Sequence, residues 1–159
     1  MKRFIHRPKR YGGSIIFSIE GSIDNFVVQS KNKTKQDFKT DNLYIDNLAI
    51  SDKNGFVYIT NGIGTMPQVQ NYDPTVSNLV KVKAQTLTRF FQEKNIDYAD
   101  VVKIDIEGAE FELFDTTADQ VLQSVGQLTV EFHDFMNPDW SEGVDRLKER
   151  MADLGFQIF

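Results

Sequence analysis

Two carboxylates close the most apolar segment of the chain, the run VVKIDIEGAE at residues 101–110. Asp105 and Glu107 have the same parity, so on an extended strand their side chains leave the same face. Acids in this position could orient a substrate, accept a proton or hold a divalent cation. Glu107 and Glu110 could instead serve only the start of a helix, where negative charge is favourable. Asp105 lies inside the predicted strand, where helix capping does not explain it, and is the stronger candidate.

Polar side chains also stand at the ends of two other predicted strands. Glu20 ends the segment SIIFSIE, and Glu131 and His133 belong to LTVEFH. An acid in the position of Glu20 accepts hydrogen bonds from ribose hydroxyls in dinucleotide-binding folds, but it could equally favour a helix N-terminus. His133 could act as a general base near neutral pH, although a lone histidine is commonly a hydrogen-bonded structural residue.

Strands alternate with helices along the chain. Strands are predicted at residues 14–20, 43–50, 56–60, 79–84, 101–106, 128–133 and 156–159, with 43–50 and 56–60 forming a hairpin. Helices are predicted at 21–35, with Phe26 and Val27 on its inner face, and at 87–94, 109–122 and 142–154. The alternation is typical of an α/β layer with a largely parallel sheet, in which ligands bind beyond the carboxyl ends of the strands. The polar groups at three strand ends therefore indicate a functional site.

Composition narrows the classes of protein that are possible. The 159 residues fit a single domain, and 40% hydrophobic and 26% charged residues are typical of a soluble globular protein. A net charge of −5 argues against a general nucleic-acid binder. The absence of Cys excludes disulfides and thiol nucleophiles and fits a cytoplasmic protein. The sequence has no apolar run long enough to span a membrane, and its basic N-terminus is either a phosphate-binding arm or a solvated segment.

One apparent nucleotide-binding motif lacks the residues and the helix that should follow it. Gly62-Ile63-Gly64 opens like a dinucleotide-binding loop, but Pro67 stands where the third glycine would be and no helix is predicted to follow. We interpret residues 61–78 as a long flexible loop. HExxH, phosphate-loop and serine nucleophile-elbow motifs are also absent from the sequence.

The run VVKIDIEGAEFELF resembles the hallmark segment of the FkbM-type S-adenosylmethionine-dependent methyltransferases. Four flanking segments are similar to segments of that family in the same order: IIFSIEGSIDNF, NLAISDKNGFVYI, VKVKAQTLTRFFQEKNID and QLTVEFH. The resemblance extends from about residue 14 to residue 156. It implies a Rossmann-like class I methyltransferase sheet, mostly parallel and with helices on both faces.

The resemblance also implies a set of site residues and a reaction. S-adenosylmethionine would be the cofactor, no metal would be needed, and a methyl group would pass to a hydroxyl of a small molecule, sugar or lipid. The cofactor-binding residues would be Glu20 at the ribose, Ala49, Ile50 and Ser51 at the adenine, and Asp105. The catalytic residues would be Asp105, Glu107 and His133, with Glu131 beside His133 on the acceptor side. The general base would be His133 or Asp105, and the sequence does not rank them.

The chain departs from the family pattern at both ends. Only MKRFIHRPKRYGGSIIFSI precedes Glu20, where the family has a first strand and a glycine-rich loop, and the sequence stops in what should be the sixth strand. We therefore expect residues 1–159 to form a single, partial methyltransferase domain, truncated at both ends. The alternative function is a non-catalytic or truncated methyltransferase-like binding module. A weaker alternative is a divalent-metal site for hydrolysis.

Overall fold

The computed structural model describes residues 15–22, 27–31, 33, 43–60, 69–70, 73–106, 109–132 and 141–159. The strands in these ranges are β1 Ile16–Glu20, β2 Leu43–Asn47, β3 Ala49–Ile50, β4 Gly55–Thr60, β5 Val69–Gln70, β6 Leu79–Gln85, β7 Ala99–Ile104 and β8 Val125–Val130. The helices are α1, whose described residues are 27–31 and 33, α2 Leu87–Glu93, α3 Glu110–Thr116, α4 Asp119–Gln123 and α5 Ser141–Asp153. The chain is thus a mixed α/β protein, as the alternation predicts.

Within the described residues, the strands form three sheets. β1 pairs with β2 and β7 with β8, both in parallel, and a four-stranded sheet has the order β3-β6-β4-β5. The predicted hairpin between residues 43–50 and 56–60 is wrong, because β6 lies between β3 and β4 and pairs with both. Antiparallel pairing of β4 with β6 places Val57 opposite Val82, in a small core that both strands share. A local turn signal does not reveal this distant partner.

The predicted strand 43–50 is interrupted at Leu48, where the chain passes from one sheet to another. β2 continues the sheet of β1, whereas β3 joins the sheet of β6. Leu48 is buried, and its N–H donates to the carbonyl of Glu20 at 3.1 Å. The side-chain amide of Asn47 donates to the same carbonyl at 2.9 Å. These two bonds fix the end of β1 against the start of β3.

The main hydrophobic core lies between one face of the β7–β8 pair and the helices α2 to α5. Its buried members are Leu48, Leu87, Phe90, Phe91, Ile104, Leu113, Phe114, Leu122, Val125, Leu147 and Met151. The opposite face of β7 and β8 is open among the described residues, since Val101 is 61% exposed and Gln127 and Thr129 are also exposed. Parallel strands are usually covered on both faces, so this open face is unusual.

Most predicted helices are confirmed, with local corrections. α2 and α5 begin and end within one residue of their predicted bounds. The predicted helix 109–122 divides into α3 and α4 because Thr117 is extended, with φ −82° and ψ 126°. Arg150 from α5 stabilises the break by donating to the carbonyls of Phe114 and Thr117 at 2.6 and 2.8 Å. Val27 is 38% exposed, so its predicted inward orientation is wrong.

The final predicted strand, at residues 156–159, is not formed. Gly155 has φ +92°, the conformation expected of a helix C-cap, and the N–H of Phe156 donates to the carbonyl of Met151 at 3.0 Å. This N–H therefore closes α5 and does not join a strand ladder, and Phe159 is fully exposed. No helix within the described ranges is both long and apolar enough to cross a membrane.

Candidate functional site

The carboxyl ends of β7 and β8 lie side by side. Ile104 is opposite Val130 in the parallel register, and the N–H of Glu131 donates to the carbonyl of Ile104 at 3.0 Å. The next residues, Asp105 and Glu131, therefore leave adjacent strands at the same level. β7 ends at Ile104, so Asp105 lies immediately after the strand and not inside it.

Lys103 connects the two carboxylates. Its Nζ lies 2.9 Å from Oδ2 of Asp105 and 3.9 Å from Oε2 of Glu131. The hydrogen bond to Asp105, and then the charge of that carboxylate, raise the pKa of Lys103 above its usual value. The side chain of Asp105 is 35% exposed, compared with 60% for Glu131. Asp105 is thus the more sheltered acid of this pair.

Glu110 is the first residue of α3, the helix that follows β7 in the chain. The side chain is fully buried, at 0% exposure, and Oε1 accepts a hydrogen bond from the N–H of Ile106 at 3.4 Å. The carboxylate therefore binds the chain that leaves β7 to the first turn of the helix that follows it, where the helix dipole favours an acid. This placement supports the helix-start interpretation for Glu110.

Glu20 lies at the carboxyl end of β1, where its side chain already has one structural partner. Oε1 accepts a hydrogen bond from the N–H of Ser22 at 2.8 Å. The carboxylate is only partly buried, and Oε2 has no partner among the described residues. Because the hydrogen bond from Ser22 uses only one of the two oxygens, local capping leaves the other able to accept a further hydrogen bond.

The three residues expected beside the adenine lie next to Glu20. Ala49 and Ile50 form β3, and Ser51 follows it. Ala49 and Ser51 are buried, at 7% and 3% exposure, and only Ile50 has partly exposed surface. The N–H of Ser51 donates to the carbonyl of Gln85 at 2.9 Å, and its hydroxyl donates to Asp52 at 2.8 Å. Ser51 is thus engaged within the protein. An adenine at this position would contact Ile50 and the neighbouring backbone.

The structure brings the sequence-predicted residues together in two groups. Glu20 lies with residues 49–51, and Asp105 lies with Glu131, the two groups being on different sheets. Phe26, Glu107, His133 and residues 61–68 lie outside the described residues. Within the described ranges, no group of three or more His, Cys, Asp or Glu side chains is placed to hold a metal ion.

Comparison with known proteins identifies the family. A family model described as the methyltransferase FkbM domain matches residues 2–158. The chain belongs to the FkbM methyltransferase family. Searches of curated proteins and of solved structures find no match to it. The family match covers both groups of predicted residues in this FkbM methyltransferase domain.

Sequence reasoning missed one charged residue of the site in this FkbM methyltransferase domain. Lys103 shares the parity of Asp105, and side chains two residues apart on a strand leave the same face. This spacing places its ammonium beside the carboxylate, as the 2.9 Å contact shows. The parity argument that selects Asp105 could therefore also have selected Lys103.

Proposed function

We propose that this chain is an S-adenosylmethionine-dependent methyltransferase that acts on a hydroxyl group of a small molecule, sugar or lipid. The observation that carries the proposal is the position of Glu20 and Asp105 directly at the carboxyl ends of parallel strands. Ligands of open α/β sheets bind beyond these ends. The family match over residues 2–158 supports methyltransferase activity. To this we add the cofactor, S-adenosylmethionine, and the kind of acceptor, a hydroxyl group.

The residues at the end of β1 fit the ribose of the cofactor. Ribose hydroxyls are hydrogen-bond donors, and the Glu20 carboxylate has one oxygen, Oε2, without a partner among the described residues. The carbonyl of Glu20 is held by Leu48 and Asn47, which fixes the backbone from which the side chain extends. When bound, S-adenosylmethionine would supply an electrophilic methyl group on a positively charged sulfur.

Asp105 fits the acceptor side of the reaction. Lys103 binds Oδ2, and within the described part of the chain Oδ1 is left to accept a hydrogen bond. The acceptor hydroxyl would be oriented by this oxygen and would lose its proton to Asp105 or to His133. Orientation of the reactants and removal of the proton each lower the barrier to transfer.

The test is calorimetric titration of S-adenosylhomocysteine into the 159-residue chain and into two variants. Glu20→Gln keeps the oxygen that caps Ser22 but removes the charge, so we expect the fold to persist. A hydrogen bond to a charged group contributes about 1.5–3 kcal/mol, so binding should weaken at least about tenfold. Glu149→Gln, at an exposed position of α5, is the matched control and should bind as the wild type does.

The outcomes separate the two functions considered for this chain. Micromolar binding that weakens at least about tenfold in Glu20→Gln, but not in Glu149→Gln, would support the methyltransferase and justify a search for the acceptor. No binding by a folded, cooperatively melting chain would overturn the proposal and favour a non-catalytic binding module. Equal affinity of the wild type and Glu20→Gln would refute the ribose role of Glu20.

A further inference from the structure

Lys103 lies between two carboxylates on the open face of the β7–β8 pair. Its ammonium is 2.9 Å from Asp105 and 3.9 Å from Glu131, and the three side chains leave the sheet on the same side. Among these described residues, two negative charges face one positive charge. The cluster therefore has a net charge of minus one.

The strand geometry produces this arrangement. Residues 103 and 105 have the same parity on the β7 segment, and Lys103 is opposite Thr129 in the register, two residues before Glu131. The alternate residues, Ile104 and Val130, face the main core. Packing of Ile104 and Val130 in the core therefore fixes the backbone from which the charged side chains extend. The side chain of Lys103 itself is 62% exposed.

The side chain of Lys103 is positively charged at neutral pH. Its pKa is raised by the hydrogen bond to Asp105 and by the charge of that residue, with a smaller effect from Glu131. A lysine with a raised pKa stays protonated at neutral pH and is a poor general base. Its contribution to the site is therefore electrostatic and positional.

We propose that Lys103 is a positioning residue that holds Asp105 and limits this strand edge to one net negative charge, which attracts the single positive charge of a sulfonium ligand less strongly than two free carboxylates would. Lys103 binds one oxygen of Asp105 and neutralises one of the two acids. The edge then attracts a cationic methyl donor without the repulsion that two unpaired carboxylates would impose on each other. The inference rests on the proposed function, because it assumes that the methyl donor binds at this end of the sheet.

The consequence is discrimination between substrate and product. S-adenosylmethionine has a positive sulfur, whereas S-adenosylhomocysteine has a neutral one and is otherwise nearly identical. A unit charge about 8 Å from the sulfur should change the ratio of the two affinities about two- to thirtyfold, for effective dielectric constants from about 80 down to about 20. Because the cluster is exposed, added salt should reduce the effect.

The experiment measures the dissociation constants of both ligands by calorimetry at low and high salt. The variants are Lys103→Met, which removes the positive charge and keeps an unbranched side chain, and Glu131→Gln, which removes a negative charge. We expect preference for S-adenosylmethionine over S-adenosylhomocysteine to increase in Lys103→Met and to decrease in Glu131→Gln. Thermal unfolding checks that both variants retain the wild-type fold.

Two controls separate a charge effect from a general structural effect. Lys103→Arg keeps the charge and should preserve the wild-type preference. Lys81→Met removes an exposed lysine of β6 that lies 4.3 Å above the ring of Phe56, and it should leave the preference unchanged.

The possible results distinguish this inference from the proposed function. Binding of both ligands with the same preference in Lys103→Met, Glu131→Gln and the wild type would overturn the role of Lys103 and leave the proposed function intact. Failure of a folded wild-type chain to bind either ligand would overturn both. Opposite shifts in the two charge variants, reduced at high salt, would support the inference.

Discussion

At the scale of single residues, Asp105 combines partial shelter with a fixed orientation. The side chain is 35% exposed and Lys103 holds one of its oxygens at 2.9 Å, whereas Glu131 is 60% exposed and its contact with the same lysine is 3.9 Å. A carboxylate that is both oriented and reachable is suited to accept a proton or a hydrogen bond from a substrate. Asp105 is therefore the described residue that we expect to affect transfer most.

We predict that Asp105→Asn lowers the rate of methyl transfer at least about 100-fold, because general-base and positioning contributions are typically of this size or larger. The midpoint of thermal unfolding should change little, since the side chain lies at the surface and its ion pair with Lys103 is exposed. The measurement is transfer of labelled methyl from S-adenosylmethionine to a panel of hydroxyl acceptors. Loss of stability in parallel with loss of transfer would contradict the assigned role.

The residues show how far a strand pattern can locate a site. Parity makes Asp105 a candidate from the sequence, and the structure places it just after β7, beside Glu131 at the end of the neighbouring strand. The pattern could not show that capping occupies only one oxygen of Glu20, because this depends on the side-chain conformation that reaches Ser22. It also could not reveal the complete burial of Glu110, which results from the distant packing of α3.

At the scale of elements, the close approach of α5 to α3 depends on Gly143. A methyl group on this glycine would lie 2.8 and 2.9 Å from carbons of the Phe111 ring, well inside van der Waals contact. Phe111 in turn stacks on Phe132, with ring centroids 5.7 Å apart. The ring therefore has a neighbour that restricts how far it can move away.

We predict that Gly143→Ala destabilises the chain although alanine favours a helix by about 0.5–1 kcal/mol over glycine. Overpacking of a close contact typically costs about 1–3 kcal/mol, which is the larger effect. Urea unfolding should therefore show a net loss of stability. Glu149→Ala, at an exposed position of the same helix, should change stability by less than about 0.5 kcal/mol.

A second variant makes this prediction specific to the contact. Combining Gly143→Ala with Phe111→Leu gives the new methyl group room, so the double variant should be more stable than the sum of the two single changes predicts. Strict additivity of the two changes would show that the Phe111 ring is not the obstacle.

Helices were more predictable than strand pairing, for a physical reason. The inward residues of α5, such as Val144, Leu147 and Met151, recur at helical spacing within a short stretch of sequence. The partner of β4 lies beyond a segment of almost twenty residues, and no pattern within β4 encodes it. The division of one predicted helix at Thr117 likewise depends on Arg150, which lies 33 residues later.

At the scale of the whole molecule, apolar burial is concentrated away from β1 and β2. No residue of these two fully described strands is buried, whereas β7 and β8 contribute Ile104 and Val125 to the main core. Three contacts attach the β1–β2 pair to α2. Phe17 lies edge-on to Phe90 with centroids 5.7 Å apart, Lys94 lies at the same distance from the Phe17 ring, and Lys94 forms a 2.7 Å ion pair with Asp46.

This distribution predicts unequal local stability, which hydrogen exchange followed by mass spectrometry can measure. Amide hydrogens in peptides from β7 and β8 should exchange more slowly than those from β1 and β2, because β1 contributes only partly buried side chains, such as Phe17 and Ile19, to the main core. The β4–β6 ladder is an internal reference, since it has its own buried core of Ala49, Val57, Ile59, Val82 and Ala84. Equal protection of the β1–β2 and β7–β8 peptides would contradict the prediction.

Added S-adenosylhomocysteine should then slow exchange selectively at the end of β1 if Glu20 binds the ribose, because a ligand stabilises the segment that it contacts.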